Sequence, residues 1–172
     1  MNVPTLETAR LILNAHTVED VLRNFAIWSK PQVVKHISGT PSTMQQCWWR
    51  VLRYAGHWSL NNYGYWAVRE KVSGQYIGDV GFQDNLRAIG PVFDVYPEAG
   101  WVFDPHFHGL GYATEAMTAA LGWSESVMKS RSTACLIAPQ NQASLKLSKK
   151  LGYRVIGEAP VQDVPTLILL RG

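Results

Sequence analysis

The sequence predicts an α/β fold in which helices pack on a mixed sheet. Short runs rich in β-forming residues alternate with longer stretches whose apolar residues recur every three or four positions, as in strands and amphipathic helices. Their order is β-α-α-β-β-β-α-β-α-β-β, with about seven strands and about four helices. Of the 172 residues, 47% are hydrophobic and 17% are charged, so a single globular domain over residues 1–172 is expected.

The chain begins with a strand and two helices. Residues 10–14 (RLILN) predict the first strand. Thr17 is placed to cap a helix that runs to about Trp28 and ends before Pro31. A second helix begins near residue 41. Its predicted inner face consists of apolar residues three or four positions apart, namely Met44, Trp48, Val51, Leu52 and Ala55.

Three strands are predicted next. They cover residues 65–70, 76–82 and 98–103, which are rich in β-forming residues. Turns at Ser73-Gly74 and Gly90-Pro91 separate them.

A helix from about residue 109 to residue 128 follows the third of these strands. Its inner face is formed largely by small residues, which permit close packing on a sheet: Ala113, Ala116, Met117, Ala120 and Ser124. A buried strand over residues 134–138 comes next.

One helix and two strands complete the chain. Asn141 caps the helix, which ends at Leu151-Gly152, where the glycine suits a left-handed C-cap. Residues 153–157 and 164–170 form the closing strands.

The most informative segment joins the strand at residues 98–103 to the helix that follows. The strand stops at Asp104-Pro105, and Gly109 and Gly111 lie just before the helix. Glycine lets backbone amides approach an anion, and the helix dipole favours negative charge at this end, so the segment predicts a phosphate site. It lacks the third glycine of the dinucleotide fingerprint and the Gly-Lys-Ser/Thr of the nucleotide-binding P-loop.

Composition limits the partners. The net charge of +3 suits an anionic small ligand and is too weak to indicate nucleic acid. No run of about 18 apolar residues predicts a membrane span. Cys47 and Cys135 have no metal-ligand spacing, so both are interpreted as reduced, buried thiols of a cytoplasmic protein.

Four segments together resemble a known family. They are TARL at residues 8–11, YIG at 76–78, GW through TEA at 100–116, and NQAS through KLGY at 141–153. Their sequence and order resemble the GNAT acyl-CoA N-acetyltransferases, in particular the Rim-type branch of ribosomal-protein N-terminal acetyltransferases and their small-molecule relatives. The most specific feature is G-x-G-Y-A-T-E-A after a D-P strand end, with N-x-x-S about 30 residues later. The resemblance covers essentially the whole chain.

This resemblance implies a mostly antiparallel central sheet that binds acetyl-CoA as co-substrate. The sheet would splay between the strands at residues 101–103 and 134–138. The glycine turn would hold the pyrophosphate through backbone amides, a role carried over to His108, Gly109, Leu110, Gly111, Tyr112 and Ala113. His106 stands where the family usually has Gln or Arg, which leaves a side-chain contribution to phosphate binding open.

The resemblance also places the rest of the site. The strand residues Trp101, Val102 and Phe103 would line the thioester, with a backbone N–H near Val102 or Phe103 stabilising the oxyanion. Asn141 would contact the pantetheine, although capping alone also explains it.

Two residues are candidates for proton transfer. Glu98 would accept a proton from the attacking ammonium, or it is a solvated charge at a strand end. Ser144 would donate a proton to the leaving thiolate, or it hydrogen-bonds the helix backbone. Glu115 is interpreted as structural.

Further candidates stay open. His106 and His108 lack a third ligand, so no metal is expected. Lys146, Lys149 and Lys150 either contact the adenosine 3′-phosphate or form a solvated helix face. Several acidic residues could attract a cationic acceptor, and the sequence does not rank them: Glu19, Asp20, Asp79, Asp84 and Asp94.

The expected activity is transfer of an acetyl group from acetyl-CoA to a primary amine by direct attack in a ternary complex. The acceptor is a protein N-terminus or a small molecule, and a homodimer is compatible with the resemblance. The alternative is a non-catalytic acetyl-CoA-binding module of the same fold. A dinucleotide-dependent oxidoreductase is disfavoured by the missing third glycine and by too few parallel β-α-β units.

Overall fold

Eight strands form one open sheet in the computed structural model, which describes residues 3–128, 132–161 and 163–172. Their spatial order is β1-β2-β3-β4-β5-β6-β8-β7. In chain order the strands are β1 (Leu6–Glu7), β2 (Leu11–Asn14), β3 (Tyr65–Glu70), β4 (Tyr76–Gln83), β5 (Glu98–Phe103), β6 (Thr133–Ile137), β7 (Arg154–Val161) and β8 (Val164–Arg171). The pairing is antiparallel except between β5 and β6, so the predicted mixed, mostly antiparallel sheet is confirmed.

Five helices accompany the sheet over the described residues. They are α1 (Asp20–Trp28), α2 (Pro31–Val34), α3 (Met44–Asn61), α4 (Tyr112–Val127) and α5 (Gln142–Lys150), and a 3-10 turn spans Pro105–Phe107. The main core lies between α4 and the sheet, where Met117 and Ala120 belong to the same buried cluster as strand residues such as Phe103. A second core on the opposite face joins α1, α2 and α3 to Ala67 and Tyr76.

The alternation of side chains along β5 assigns its residues to these two faces. Ala99 and Phe103 pack with α4 in the main core. Val102 packs on the second core, so Gly100 and Glu98, two and four residues earlier, face the same side as α1 and α3. The two candidate functional faces of β5 are therefore distinct.

The sequence prediction was wrong about the inner face of α3. Its buried residues are Cys47, Val51, Tyr54, His57 and Trp58. Of the predicted face, Val51 is buried, but Met44, Trp48 and Leu52 are 40%, 38% and 48% exposed. Both sets have helical spacing, and packing against α1 and β3 selects the set that contains the polar side chains of Tyr54 and His57.

The beginnings of the first two helices also differ from the prediction. Thr17 does not cap α1; its backbone N–H donates to the Asp20 carboxylate, and the helix begins at Asp20. Thr43 caps α3 through a capping box with Gln46. The short β1 and α2 were not predicted.

Candidate active site

Strands β5 and β6 separate almost as soon as they meet. Their register contains one pair, Glu98 with Ala134, and the Ala134 N–H donates to the Pro97 carbonyl at 3.1 Å. By contrast, β5 pairs with β4 along its whole length. The sheet therefore opens into a gap that widens toward Phe103.

Backbone groups of β5 are directed into this gap. The Asp104 N–H donates to Ile77 of β4 at 2.8 Å, whereas the Pro97 carbonyl points toward β6. Because amides alternate along a strand, the N–H groups of Trp101 and Phe103 face the gap, and that of Val102 faces β4. The β5 wall of the gap thus carries backbone N–H groups that can donate hydrogen bonds.

The glycine turn lies at the open end of the gap. Gly109 and Gly111 have φ values of +78° and +83°, in the left-handed region that favours glycine. Gly111 is the N-cap of α4 and offers no side-chain cap, so the first N–H groups of the helix are available to an anion. The turn and Tyr112 with Ala113 thus have the geometry of a phosphate site.

Glu115 holds this turn against the beginning of the chain. It accepts hydrogen bonds from the Thr8 hydroxyl at 2.6 Å, the Arg10 backbone N–H at 2.8 Å and the Arg10 guanidinium at 2.7 Å. Arg10 also donates to the Leu110 carbonyl at 3.0 Å and lies over the Tyr112 ring. Burial raises the pKa of Glu115, but the contacts with Thr8 and Arg10 outweigh it and lower the pKa. These contacts join α4 to the beginning of the chain, which is a structural role, as expected for Glu115.

The two histidines of the turn point in different directions. His106 Nδ1 lies 2.7 Å from the Asp104 carboxylate, and the side chain is 79% exposed. His108 Nε2 lies 3.1 Å from the Phe103 carbonyl at the end of β5. Burial works against ionisation of Asp104, but hydrogen bonds from Lys30 and His106 outweigh it and lower the pKa of Asp104. His106 is therefore held by Asp104 and not by the backbone of the glycine turn.

Asn141 and Ser144 lie at the N-terminus of α5, on the same side of the sheet as α4. The Asn141 side-chain oxygen accepts from the Ser144 N–H at 3.1 Å, as the capping prediction requires. The Ser144 hydroxyl accepts from the Trp101 indole N–H at 3.3 Å. It is thus linked to β5 and not to its own helix backbone, and its own proton stays available for donation.

Glu98 lies on the opposite face, at the closed end of the gap. Arg87 contacts both carboxylate oxygens, at 2.6 and 2.9 Å, and Asn85 donates to one of them at 2.8 Å. The hydrogen bonds that Arg87 donates to the Glu98 carboxylate raise the pKa of Arg87. The carboxylate lines a cavity of about 250 Å³, together with Asp84, Tyr96 and other residues of the β4–β5 loop. Glu98 is therefore anchored, and it is not a freely solvated charge.

Comparison with known proteins identifies the family. A model of the acetyltransferase (GNAT) domain matches residues 10–154. The chain belongs to the GNAT acetyltransferase family. The resemblance stated from the sequence is therefore confirmed, as are the fold class and the assignment as an acetyltransferase.

Individual relatives agree with the family match. A putative GNAT-family acetyltransferase from Bordetella pertussis is 30% identical, with a TM-score of 0.87 over 98% of this chain and 99% of that one. The uncharacterized protein YkkB of Bacillus subtilis is 28% identical over 159 residues, which are 88% of this chain and 87% of its own. A RimL ribosomal L7/L12 α-N-protein acetyltransferase in complex with coenzyme A is 13% identical, with a TM-score of 0.80 over 98% of this chain and 97% of that one, and shows the shared fold.

GNAT folds bind acetyl-CoA, and the residues at this site fit that molecule. The left-handed Gly109 and Gly111 form a cradle that side chains would strain, and the α4 N-terminus supplies N–H donors. The gap beside β5 offers backbone groups to an extended chain. Over the described residues, the Asn141 amide nitrogen donates to no protein acceptor.

The acidic residues that the sequence offered as attractors of a cationic acceptor differ in their contacts. Asp79 is fully buried and accepts from His16 Nε2, Asn24 and Trp28, with a further short contact to the Tyr76 hydroxyl. Asp20 pairs with Arg69 at 2.7 Å. Asp94 accepts from two backbone N–H groups of its own loop. These three side chains hold the fold together, while Glu19 is exposed.

Asp79 was named from the sequence, but the buried hydrogen-bond network around it was not predicted. Asp79 lies on β4 beside Val102, beneath the face that carries Glu98. His16 Nδ1 is the one buried side-chain nitrogen or oxygen without a hydrogen-bond partner in the described part of the chain. A lone aspartate in an apolar strand pattern was the available signal, because such a residue needs buried donors.

The remaining candidates have simple surroundings. Cys47 and Cys135 are buried and not disulfide-bonded, and burial raises the pKa of both thiols. Lys146, Lys149 and Lys150 are exposed on α5. Among the residues that the structure describes, no group of three His, Cys, Asp or Glu side chains could hold a metal ion.

None of the described helices combines the length and the apolar character needed to cross a membrane.

Proposed function

We propose that this GNAT acetyltransferase moves the acetyl group of acetyl-CoA to a primary amine by direct attack in a ternary complex. The acceptor is a protein N-terminus or a small-molecule amine. The observation that carries the proposal is the β5–β6 gap, with the glycine turn at its open end, Ser144 on one face and Glu98 on the other. The two faces give the two substrates separate approaches to one strand.

The glycine turn and β5 would hold the cofactor. Backbone N–H groups from His108 to Ala113 would bind the pyrophosphate, with the α4 dipole favouring its negative charge. Trp101 and Phe103 would present backbone groups to the pantetheine arm, and Asn141 would offer its amide nitrogen. Val102, whose N–H faces β4, would contribute its side chain on the face opposite α4. This face of the sheet, which carries Glu98, Gly100 and Val102, is called the acceptor face.

Bound acetyl-CoA supplies a thioester whose carbonyl carbon is open to a neutral amine. Because free amines are protonated near neutral pH, the site needs a proton acceptor. Glu98 would take this proton through a water molecule in the adjoining cavity, with Arg87 and Asn85 fixing the orientation of the carboxylate. The Phe103 N–H would stabilise negative charge on the carbonyl oxygen, and Ser144 would give a proton to the departing thiolate.

Two measurements test this proposal in sequence. Calorimetric titration of the purified protein with acetyl-CoA, with NAD as the control, should give micromolar binding of acetyl-CoA alone. Glu98→Gln should then lower kcat for amine acetylation about 100-fold, the usual contribution of general base catalysis, and leave acetyl-CoA affinity unchanged.

Glu125→Gln is the matched control, because Glu125 of α4 pairs with Arg171 of β8, a strand that does not border the gap. Its kcat should equal that of the wild type. Acetyl-CoA binding without turnover of any amine would instead favour the non-catalytic binding module. A Glu98→Gln variant as active as the control would remove Glu98 from the mechanism.

A further inference from the structure

Two glycines on neighbouring strands make room for one tyrosine on the acceptor face of the sheet. In the register, Tyr65 of β3 is opposite Gly81 of β4, and Gly81 is opposite Gly100 of β5. A Cβ at Gly81 would collide with the Tyr65 backbone, and a Cβ at Gly100 would overlap the Tyr65 hydroxyl. The Tyr65 side chain therefore crosses β4 and ends on β5.

Its hydroxyl takes the place that a side chain of residue 100 would have. Gly100 lies between Glu98 and Val102 on the face opposite α4, and successive side chains on one strand face are about 7 Å apart. The hydroxyl thus lies on the same strip of β5 as the Glu98 carboxylate, near the closed end of the gap, where β5 and β6 begin to separate. Consistent with this proximity, the charge of Glu98 adds to burial in raising the pKa of Tyr65.

The ring is fixed, but the hydroxyl is unused by the fold. Tyr65 stacks on Tyr54 with the ring planes 4° apart and the centroids 4.7 Å apart, and Tyr54 in turn contacts the His16 ring. Over residues 3–128, 132–161 and 163–172, no protein group hydrogen-bonds the Tyr65 hydroxyl. A neutral hydroxyl held by a rigid ring can both accept and donate a hydrogen bond.

We propose that Tyr65 binds the attacking amine: its hydroxyl oxygen accepts an N–H of the acceptor nitrogen and orients the lone pair toward the thioester. This role rests on the proposed acetyl transfer and adds a substrate-binding residue that acts beside Glu98. Glu98 removes the proton, while Tyr65 keeps its own and sets the direction of attack. The paired glycines are the sequence feature that permits it.

The test uses Tyr65→Phe, which keeps the stacked ring and removes only the hydroxyl. CoA release is followed with a thiol reagent at varied n-propylamine, spermidine and the peptide Ala-Gly-Gly. For the amines that the wild type acetylates, kcat/KM should fall about tenfold, as expected for the loss of one hydrogen bond. The Kd of acetyl-CoA should not change, because the gap and glycine turn are untouched.

Tyr63→Phe is the matched control. Tyr63 lies two residues before Tyr65 and packs on His57, so this variant should keep wild-type kinetics. Gly100→Ala gives a second reading, because its methyl group must displace the Tyr65 hydroxyl. The Gly100→Ala substitution should lower kcat/KM when Tyr65 is present and have little further effect in the Tyr65→Phe background.

The outcomes separate the two proposals. If the wild type turns over and Tyr65→Phe remains within twofold of it, the role of Tyr65 is overturned while acetyl transfer stands. If the wild type binds acetyl-CoA and acetylates none of the probes, the proposed acceptor chemistry fails, and the role of Tyr65 fails with it. If the acetyl-CoA affinity of Tyr65→Phe falls as much as its kcat/KM, the substitution has a general structural effect, and the role of Tyr65 is also overturned.

Discussion

At the scale of single residues, Ser144 shows how one contact changes the meaning of a motif. A serine three positions after a helix cap ordinarily bonds its own helix backbone. Here its hydroxyl accepts from the Trp101 indole across the site, so the oxygen is fixed while the proton can be given elsewhere. The hydroxyl is therefore oriented by β5, the strand that borders the gap.

Ser144→Ala should lower kcat about tenfold and leave acetyl-CoA affinity nearly intact, because a general acid helps the leaving group only in the transition state. A thiolate is already a fair leaving group, so a larger loss is not expected. Stopped-flow measurement of CoA release, beside calorimetry with acetyl-CoA, separates the two quantities.

Ser148→Ala serves as the control for this change. Ser148 lies one turn later on α5 and donates to the Leu145 carbonyl of its own helix. Its replacement should leave kcat unaltered. Equal turnover in the Ser144 variant and the wild type would exclude proton donation by Ser144.

At the scale of elements, the glycine turn is built by parts of the chain that are far apart in sequence. The 3-10 turn after β5 leads into Gly109–Gly111, and Glu115 in the first turn of α4 fastens this segment to Thr8 and Arg10. The glycine turn and the beginning of the sheet are thus held together as one unit. Any change at Gly111 acts on a position whose neighbours are already fixed.

Gly111→Glu should abolish measurable acetyl-CoA binding. The residue has a φ of +83°, so a side chain is strained there, and its carboxylate would lie at the phosphate site. Gly74→Glu is the matched control: Gly74 has a φ of +67° in the turn between β3 and β4, and its Cβ would meet open space.

Both variants should lose a similar amount of stability, about 1 kcal/mol, from the strained backbone. Calorimetric titration should then show binding by the Gly74 variant alone. A folded Gly111 variant with wild-type affinity would overturn the assignment of the cofactor site.

The elements also show how far the sequence could lead. Strands β2 to β6 and helices α4 and α5 were predictable, because their apolar periodicity and caps are local properties. Helix α2, of four residues, and strand β1, of two, carry too few periodic positions to be recognised. The inner face of α3 depended on packing partners far away in sequence, and hydrophobicity favoured the wrong face.

The candidate site divides in the same way. The turn, Asn141 and Ser144 belong to local motifs and could be found in the sequence. The anchoring of Glu98 by Arg87 and the path of Tyr65 over two glycines depend on strand register and loop geometry, which no local pattern encodes. Glycine within a strand was the available hint, since it often marks close approach of another group.

At the scale of the whole molecule, one buried carboxylate joins the layer of α1 to the middle of the sheet. Asp79 of β4 accepts hydrogen bonds from Asn24 and Trp28 of α1 and from His16 in the preceding loop. Its neighbour in the register is Val102 of β5. The acceptor face of β5 therefore rests on a polar network instead of a purely apolar core.

Asp79→Asn should lower the free energy of unfolding by about 3–5 kcal/mol, because an amide nitrogen would face donors that lose their buried partner. For a chain of this size, that corresponds to a melting temperature about 10 °C lower.

Glu7→Gln is the control for this change. It removes a carboxylate from an exposed pair with Lys71 and should change stability by less than about 1 kcal/mol. Thermal unfolding followed by circular dichroism compares the three proteins. A melting temperature equal to that of the wild type would mean that the network contributes little to holding α1 on the sheet. Below its melting temperature, the Asp79 variant should still bind acetyl-CoA with wild-type affinity, because the glycine turn is held separately by Glu115.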